Sequence, residues 1–341
     1  MKGCHEKRVC VTGTTGYIGS WLVRLLLQQG YHVHATARDP EKASRMLSTL
    51  EGTNRLKIFR ADLNEDRSFD EAVKGCVGLF HVAASMEFGT SVQENIEDHV
   101  RRNILEPAVR GTRNLLQSCV KSGTVKRVVF TSSISTITAK DETEDWKPVV
   151  DESCVTPANL VWKTKNSGWV YVLSKLSTEE EAFKFAKENG IDLVSIIPPT
   201  VAGPFLTPTV PSSLQVLLSP ITGNPKFYPI LVSVHSRLGS IALVHVEDIC
   251  RAHIFLFETS EATGRYMCSV GSCTIPQIVD VLSSEFPNLI SKRFDEEFNR
   301  SAPSVISSEQ LLDLGYRFKY DVKDVIKESI QSCIRNGLLD N

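Results

Sequence analysis

Three glycines spaced three residues apart, Gly13, Gly16 and Gly19, follow directly on a short apolar run at residues 8–12, RVCVT. The run reads as a buried strand, and residues 17–29 read as a helix closed by Gly30. A G-x-x-G-x-x-G turn between a first strand and a first helix allows a tight bend. It also lets a phosphate approach the backbone and aims the helix N-terminus at that charge. The residues expected to hold it are Gly13, Thr15, Gly16, Tyr17, Ile18 and Gly19. An ordinary turn also gathers glycines; the strand-turn-helix setting is what points to a dinucleotide. No Lys-Ser or Lys-Thr follows, so a P-loop is excluded.

Beyond the turn, apolar runs and helical patterns alternate. Strands are expected at 31–38, 56–60, 78–83, 126–131 and 193–197, with helices at 112–121 and 170–189, the latter capped by Gly190. Apolar strands alternating with helices mean a parallel sheet covered on both faces, the Rossmann-type doubly wound α/β fold. Residues 1–200, which also receive 240–258, are expected to form the nucleotide domain. Residues 201–341 are expected to form mainly a smaller substrate lobe. Its 203–242 stretch is rich in Pro, Ser and Gly and reads as irregular, with an apolar loop at 210–221. Helices near 307–314 and 322–336 complete it.

The end of the second strand discriminates between nicotinamide cofactors. An acidic residue there binds the ribose 2′-hydroxyl of NAD. Here Arg38 stands at that place, and its planar guanidinium suits a 2′-phosphate. Asp39 is expected to cap the next helix, and Arg45 to add a second charge. NADPH/NADP+ is therefore the expected cofactor.

Tyr171 and Lys175 form Y-x-x-x-K at the start of the long helix, one turn apart on one face. An ammonium there stabilises the phenolate and lowers a tyrosine pKa from about 10. Many surface helices carry the same spacing by chance. Thr131-Ser132-Ser133 closes a strand some forty residues upstream. Glycine turn, strand-end hydroxyl and Y-x-x-x-K together form the short-chain dehydrogenase/reductase pattern. Which of the hydroxyls is catalytic depends on the pleat.

Along nearly its whole length the chain resembles the plant dihydroflavonol reductase, anthocyanidin reductase and vestitone reductase group of extended short-chain dehydrogenases. The matching stretches are VTGTTGYIGSWL from Val11, FRADL from Phe59, FHVAA from Phe80, VVFTSS from Val128, WVYVLSK from Trp169, the segment 196–203 and HVEDICRAH from His245. The resemblance implies that Ser133 is the catalytic serine. It implies that Asp62 and Leu63 approach the adenine, that Val82, Ala83 and Ala84 line the strand-four wall, and that Pro198, Thr200, Val201 and Ser213 touch the nicotinamide half. Cinnamoyl-CoA reductases resemble N-W-Y-C-Y-G-K at the tyrosine, unlike Gly168-Trp169-Val170-Tyr171 here. Dihydroflavonol reductases place asparagine five residues after the catalytic serine. Here Thr138 stands there, which resembles anthocyanidin reductase, as does the run 239–248; Thr138 as a plain strand residue is the alternative.

The resemblance thus implies NADPH-dependent reduction of a planar phenolic, an anthocyanidin to a flavan-3-ol, with substrate contacts from Ser133, Thr138 and Tyr171. A dihydroflavonol, isoflavonoid, alkaloid or steroid ketone is the alternative within the class. A nucleotide-sugar epimerase or a non-catalytic NADP(H)-binding sensor lies outside it. The apolar run 210–221 favours a planar hydrophobe over a sugar nucleotide, and a sensor tends to lose the tyrosine or lysine.

A net charge of −2, without clustered basic residues, gives no expectation of nucleic acid. No eighteen-residue apolar window is present, so no membrane span is expected. Nine irregularly spaced cysteines and eight histidines lack metal-ligand spacing, so no metal is expected. The short, mixed-charge segment 1–8 does not read as a signal peptide. A cytoplasmic protein with reduced thiols, a monomer or weak dimer acting on a small molecule, is the expectation.

Overall fold

The computed structural model describes residues 7–84, 94–141, 143–285 and 301–339. The start of the chain read for a signal peptide therefore lies largely outside them. In chain order the strands are β1 Arg8–Val11, β2 His32–Ala37, β3 Leu56–Arg60, β4 Gly78–His81, β5 Arg127–Thr131, β6 Val149–Val150, β7 Asp192–Ile197, β8 Thr200–Ala202, β9 Ile241–His245, β10 Gly264–Met267, β11 Gly271–Cys273 and β12 Val305–Ile306. A seven-stranded sheet runs β10-β7-β5-β4-β1-β2-β3. Its pairings from β7 across to β3 are all parallel. The fold is the expected doubly wound α/β sheet.

The chain divides into two compact units: 1–132 with 170–196 and 250–264, and 133–169 with 197–249 and 265–341. In the first unit the apolar strands β4 and β5 are buried along their whole length, as strands covered on both faces must be. Leu79, Val128, Phe130, Leu115, Leu116 and Phe185 form much of the core. Gly78 is required by packing, because a Cβ there would lie 2.1 Å from the Phe257 ring. Strand order turns back at β1 and β4, so the carboxyl ends of these two strands are the switch point at which open α/β sheets bind ligands. Arg127 is buried and ties the strands to the helix Val246–Glu258. It pairs with Asp192 at 2.7 Å and donates to the Leu256, Thr259, Ser260 and Ala262 carbonyls around that helix's end.

The second unit holds a three-stranded sheet, β11-β9-β8, and a two-stranded one, β12-β6. Its 203–242 stretch is more regular than its composition indicates. Helices Ser212–Thr222 and Tyr228–Leu238 occupy most of it, with Pro211 at the first N-cap and a proline in the first turn of the second. The 210–221 run is therefore no loop. Leu214, Leu217 and Leu218 fall on the buried side of a helix and join the core. Their apolarity serves packing and says nothing of a substrate. The helix expected at 112–121 is longer: its α-helical part runs Glu106–Ser122 and follows directly on a π-helical turn, Arg101–Leu105.

No described helix is long and apolar enough to cross a membrane. None of the eight described cysteines is in a disulfide, and seven of them are buried; Cys4 lies outside the described residues.

Candidate active site

In the first unit the glycine turn is shaped by close approach. Gly13 has φ +68°, and a Cβ on it would sit 2.9 Å from Ala83 Cα. A Cβ on Gly19 would sit 2.2 Å from the Gly13 carbonyl oxygen. Glycine is thus needed at both for the backbone to close up. Gly16 N-caps the helix Tyr17–Gln28, and neither a side-chain cap nor an acidic residue stands at its first turn. That end keeps its positive dipole and its backbone N–H groups for an anion. Thr14 donates to the Thr36 carbonyl at 3.0 Å, fixing the turn to β2.

Thr12 stitches the ends of β1 and β4 together. Its hydroxyl oxygen accepts from the Val82 and Ala83 N–H groups at 3.1 and 3.0 Å. With both lone pairs engaged, its proton goes to His81 Nδ1, 3.1 Å away. Burial, assisted by the Lys175 charge, lowers the His81 pKa to about 3, so the ring is a neutral acceptor.

Tyr171 is half-buried, and Lys175 is 4% exposed one turn further along the helix Trp169–Asn189. Lys175 Nζ donates to the Thr131 carbonyl at 2.6 Å and lies 5.4 Å from the Phe130 ring centre. Burial lowers its pKa to about 8, against the raising influence of Glu179. The Thr131 hydroxyl shares a 2.9 Å hydrogen bond with the fully buried His253. An ammonium carries three donors; one is held by the strand end.

Among the other first-unit positions, Arg38 is exposed just past β2. Asp39 N-caps the helix Pro40–Leu47, accepting from Lys42 N–H at 2.9 Å, as expected. Arg45 is exposed and lies 3.8 Å from Glu41. Asp62 caps its own turn through Asn64 N–H at 2.9 Å. Leu63 backs onto Gly111, where a Cβ would come within 2.7 Å of it. Val82 and Ala83 are half-buried and Ala84 is exposed.

In the second unit, Ser133 is buried and N-caps a short 3-10 turn, Ile134–Thr136. Its hydroxyl oxygen accepts from Ser135 N–H at 3.1 Å. The Pro198 carbonyl receives Ile134 N–H at 2.9 Å, which links the turn to the start of β8. Thr200 and Val201 are buried on β8. The Ser213 hydroxyl donates to the Val201 carbonyl at 2.7 Å, so its proton is engaged within the fold. Thr138 is 5% exposed; its hydroxyl accepts from Lys140 N–H at 3.3 Å, and its own N–H donates to the Cys154 carbonyl. Among the described residues no group of three or more His, Cys, Asp or Glu could hold a metal ion.

The model of the NAD dependent epimerase/dehydratase family matches residues 9–269. The chain belongs to this family. Among its relatives is the protein named "Putative anthocyanidin reductase" of Ginkgo biloba, 44% identical over 97% of this chain and 95% of its own length. A dihydroflavonol 4-reductase of Callistephus chinensis is 40% identical over 99% of this chain and 90% of its own. Among solved structures, vestitone reductase from alfalfa superposes with TM-score 0.79 at 35% identity, covering 97% of this chain and 99% of that one. As a member of this epimerase/dehydratase family, the chain has its glycine turn, strand ends and Tyr-Lys helix inside the matched span. Thr12 and His253 escaped the sequence reading. Thr12 has a signal in hindsight, a hydroxyl at the last residue before the glycines; His253 has none beyond its place in HVEDICRAH.

Proposed function

We propose that this chain is an NADPH-dependent reductase of a planar flavonoid, with an anthocyanidin reduced to a flavan-3-ol as the leading substrate and Tyr171 as proton donor. The observation that carries the reading is the buried Lys175 ammonium, anchored on the Thr131 carbonyl one helical turn from Tyr171. Residues 1–200 with 240–258 serve mainly the nucleotide in this reading, and 201–341 mainly the substrate. The uncapped helix start behind Gly13, Thr15, Gly16, Tyr17, Ile18 and Gly19 fits a pyrophosphate. Arg38, with Arg45 as a second charge, fits the 2′-phosphate of NADPH. Asp62, Leu63, Val82, Ala83 and Ala84 would hold the adenosine side, and Pro198, Thr200, Val201 and Ser213 the nicotinamide side. The cofactor, when bound, supplies the hydride.

The protein's own part is to position groups and move a proton. Tyr171 would give its phenolic proton to the oxygen or carbon that gains negative charge. Lys175 would stabilise the resulting phenolate with one remaining donor and hold a ribose hydroxyl with another. Ser133 would donate to the substrate oxygen. Its own oxygen already accepts from Ser135 N–H, so its proton is free to point outward.

Thr138 in place of an asparagine favours an anthocyanidin. The likeness to vestitone reductase along the whole chain keeps an isoflavonoid ketone as the second reading, with a dihydroflavonol beside it. A cytoplasmic monomer or weak dimer completes the proposal, supported by the mixed charge of the sequence and by cysteines outside any disulfide among the described residues. The test is NADPH consumption against cyanidin, dihydroquercetin, a 2′-hydroxyisoflavanone and a hydroxycinnamoyl thioester, with products identified by chromatography. Turnover of one of the first three supports the reading; turnover of the thioester alone, or of none, overturns it.

A further inference from the structure

Side-chain bonds, more than regular structure, hold the turn that carries Ser133. Thr136 is fully buried and uses its hydroxyl twice: it donates to the Ser133 carbonyl at 2.8 Å and accepts from Arg265 Nη2 at 2.9 Å. The Thr136 N–H donates to the same Ser133 carbonyl at 3.0 Å, and its carbonyl accepts from Thr156 N–H at 2.8 Å. Arg265 lies on β10, and its Nη1 donates to the Glu152 carbonyl at 2.5 Å. The buried Glu152 carboxylate turns to the Met267 N–H, 2.6 Å away, closing the circuit back onto the residues of β10. A guanidinium therefore spends both terminal nitrogens on oxygens, and one of these belongs to the residue that clamps Ser133.

The arrangement is stiff where the chemistry needs stiffness. A guanidinium bond to a hydroxyl is charge-assisted and planar, so it fixes direction as well as distance. Arg265 sets the lone-pair side of the Thr136 hydroxyl, and the Thr136 proton then has one direction left, toward Ser133. With its carbonyl gripped twice and its Oγ held by Ser135 N–H, Ser133 is left with one principal freedom, rotation of its own O–H.

We infer that Arg265, acting through Thr136, is a positioning residue for Ser133, holding its hydroxyl in the orientation that meets a substrate oxygen. The inference rests on the proposed role of Ser133. A clamp that served folding alone would use the same bonds, so the test has to read Ser133 itself.

Thr136→Val removes the hydroxyl at nearly constant shape, and Thr136→Ser retains it. Each is made in the parent and in Ser133→Ala, as full-length protein. Rates are measured with NADPH and whichever of cyanidin, dihydroquercetin and a 2′-hydroxyisoflavanone the parent turns over fastest. Hydrogen exchange of the 131–139 segment in the NADP+-loaded protein shows separately whether Arg265→Met loosens the turn. A misplaced catalytic group loses up to about a hundred-fold, so Thr136→Val is expected to lower kcat by about ten-fold or more with NADPH affinity unchanged. Thr136→Ser is expected to restore most of the rate, Thr136→Val to add nothing once Ser133 is alanine, and exchange to quicken in Arg265→Met. An equal loss from Thr136→Val in both backgrounds, or exchange unaffected by Arg265→Met, overturns the inference alone. Parental turnover by Ser133→Ala overturns the role of Ser133 and the inference with it.

Discussion

The two units hold their reactive groups by different means. In the first, Lys175 and Tyr171 ride on a helix of 21 residues, and the ammonium rests on the carbonyl end of a fully buried strand. In the second, Ser133 sits on a three-residue 3-10 turn, held by hydroxyls, a guanidinium and a carboxylate. Regular structure places the lysine at an energetic cost, since a charge is carried into the protein interior. Side-chain bonds place the serine with many partners to lose, the buried Glu152 carboxylate among them. The lysine site should therefore be tolerant in stability and intolerant in function, and the serine site fragile in both.

The sharpest way to break this contrast is Lys175→Met. Activity should fall by about two to four orders of magnitude, the range of a lost acid-base group, and NADPH affinity should fall with it. Stability should move the other way. The Lys175 pKa is lowered from 10.5 to about 8, so the unfolded chain binds its proton more tightly than the folded one. The charged lysine thus opposes folding fully below about pH 8, and that opposition fades as pH rises toward 10.5. At neutral pH the penalty is at most about 3 kcal/mol, offset in part by the Thr131 hydrogen bond that methionine loses. Thermal unfolding at pH 7 should show the variant at least as stable as the parent, with the difference shrinking toward pH 10. A variant markedly less stable at pH 7 would contradict the picture.

Arg38→Ala examines the exposed rim of the first unit, where effects should be intermediate. A guanidinium–phosphate contact of about 1.5–3 kcal/mol gives a preference for NADPH over NADH of about ten-fold or more. Fluorescence titration of both cofactors should show most of that gap closing in Arg38→Ala. Equal affinities in the parent would remove the argument from Arg38.

The smallest effect is expected in the second unit, from Thr138→Asn. One net hydrogen bond of about 1 kcal/mol corresponds to about five-fold in kcat/KM for dihydroquercetin. The Thr138 hydroxyl already accepts from Lys140 N–H, so part of the gain should be lost in rebuilding that turn. Efficient dihydroquercetin reduction by the parent, with no flavan-3-ol from cyanidin, would rule out the anthocyanidin preference.

Much of the first unit can be read directly in the chain, because its signals are periodic and local. Buried strands appear as apolar runs, and a helix carries Tyr171 and Lys175 to one face by spacing alone. The glycine turn stands between the elements it joins. Contacts that join distant segments leave no such trace. Thr12 reaches Ala83 across 71 residues, and Thr131 reaches His253 across 122. In the second unit, proline and serine hide helices: prolines stand at the cap of one and in the first turn of the other, and Pro220 lies inside the first. The 210–221 run was therefore legible as apolar but not as a helix packed into its own core. The support of Ser133 through Thr136, Glu152 and Arg265 is equally invisible to pattern, since the three are far apart in the chain and no periodicity or spacing links them.

Most directly, the central claim is tested by Tyr171→Phe, which removes one hydroxyl and leaves the ring. NADPH affinity by fluorescence titration and kcat on the best parental substrate are measured together. Affinity close to the parent's and a kcat lowered by about a hundred-fold or more are expected of a positioned proton donor. Parental turnover in Tyr171→Phe would contradict the account and require another group to supply the proton.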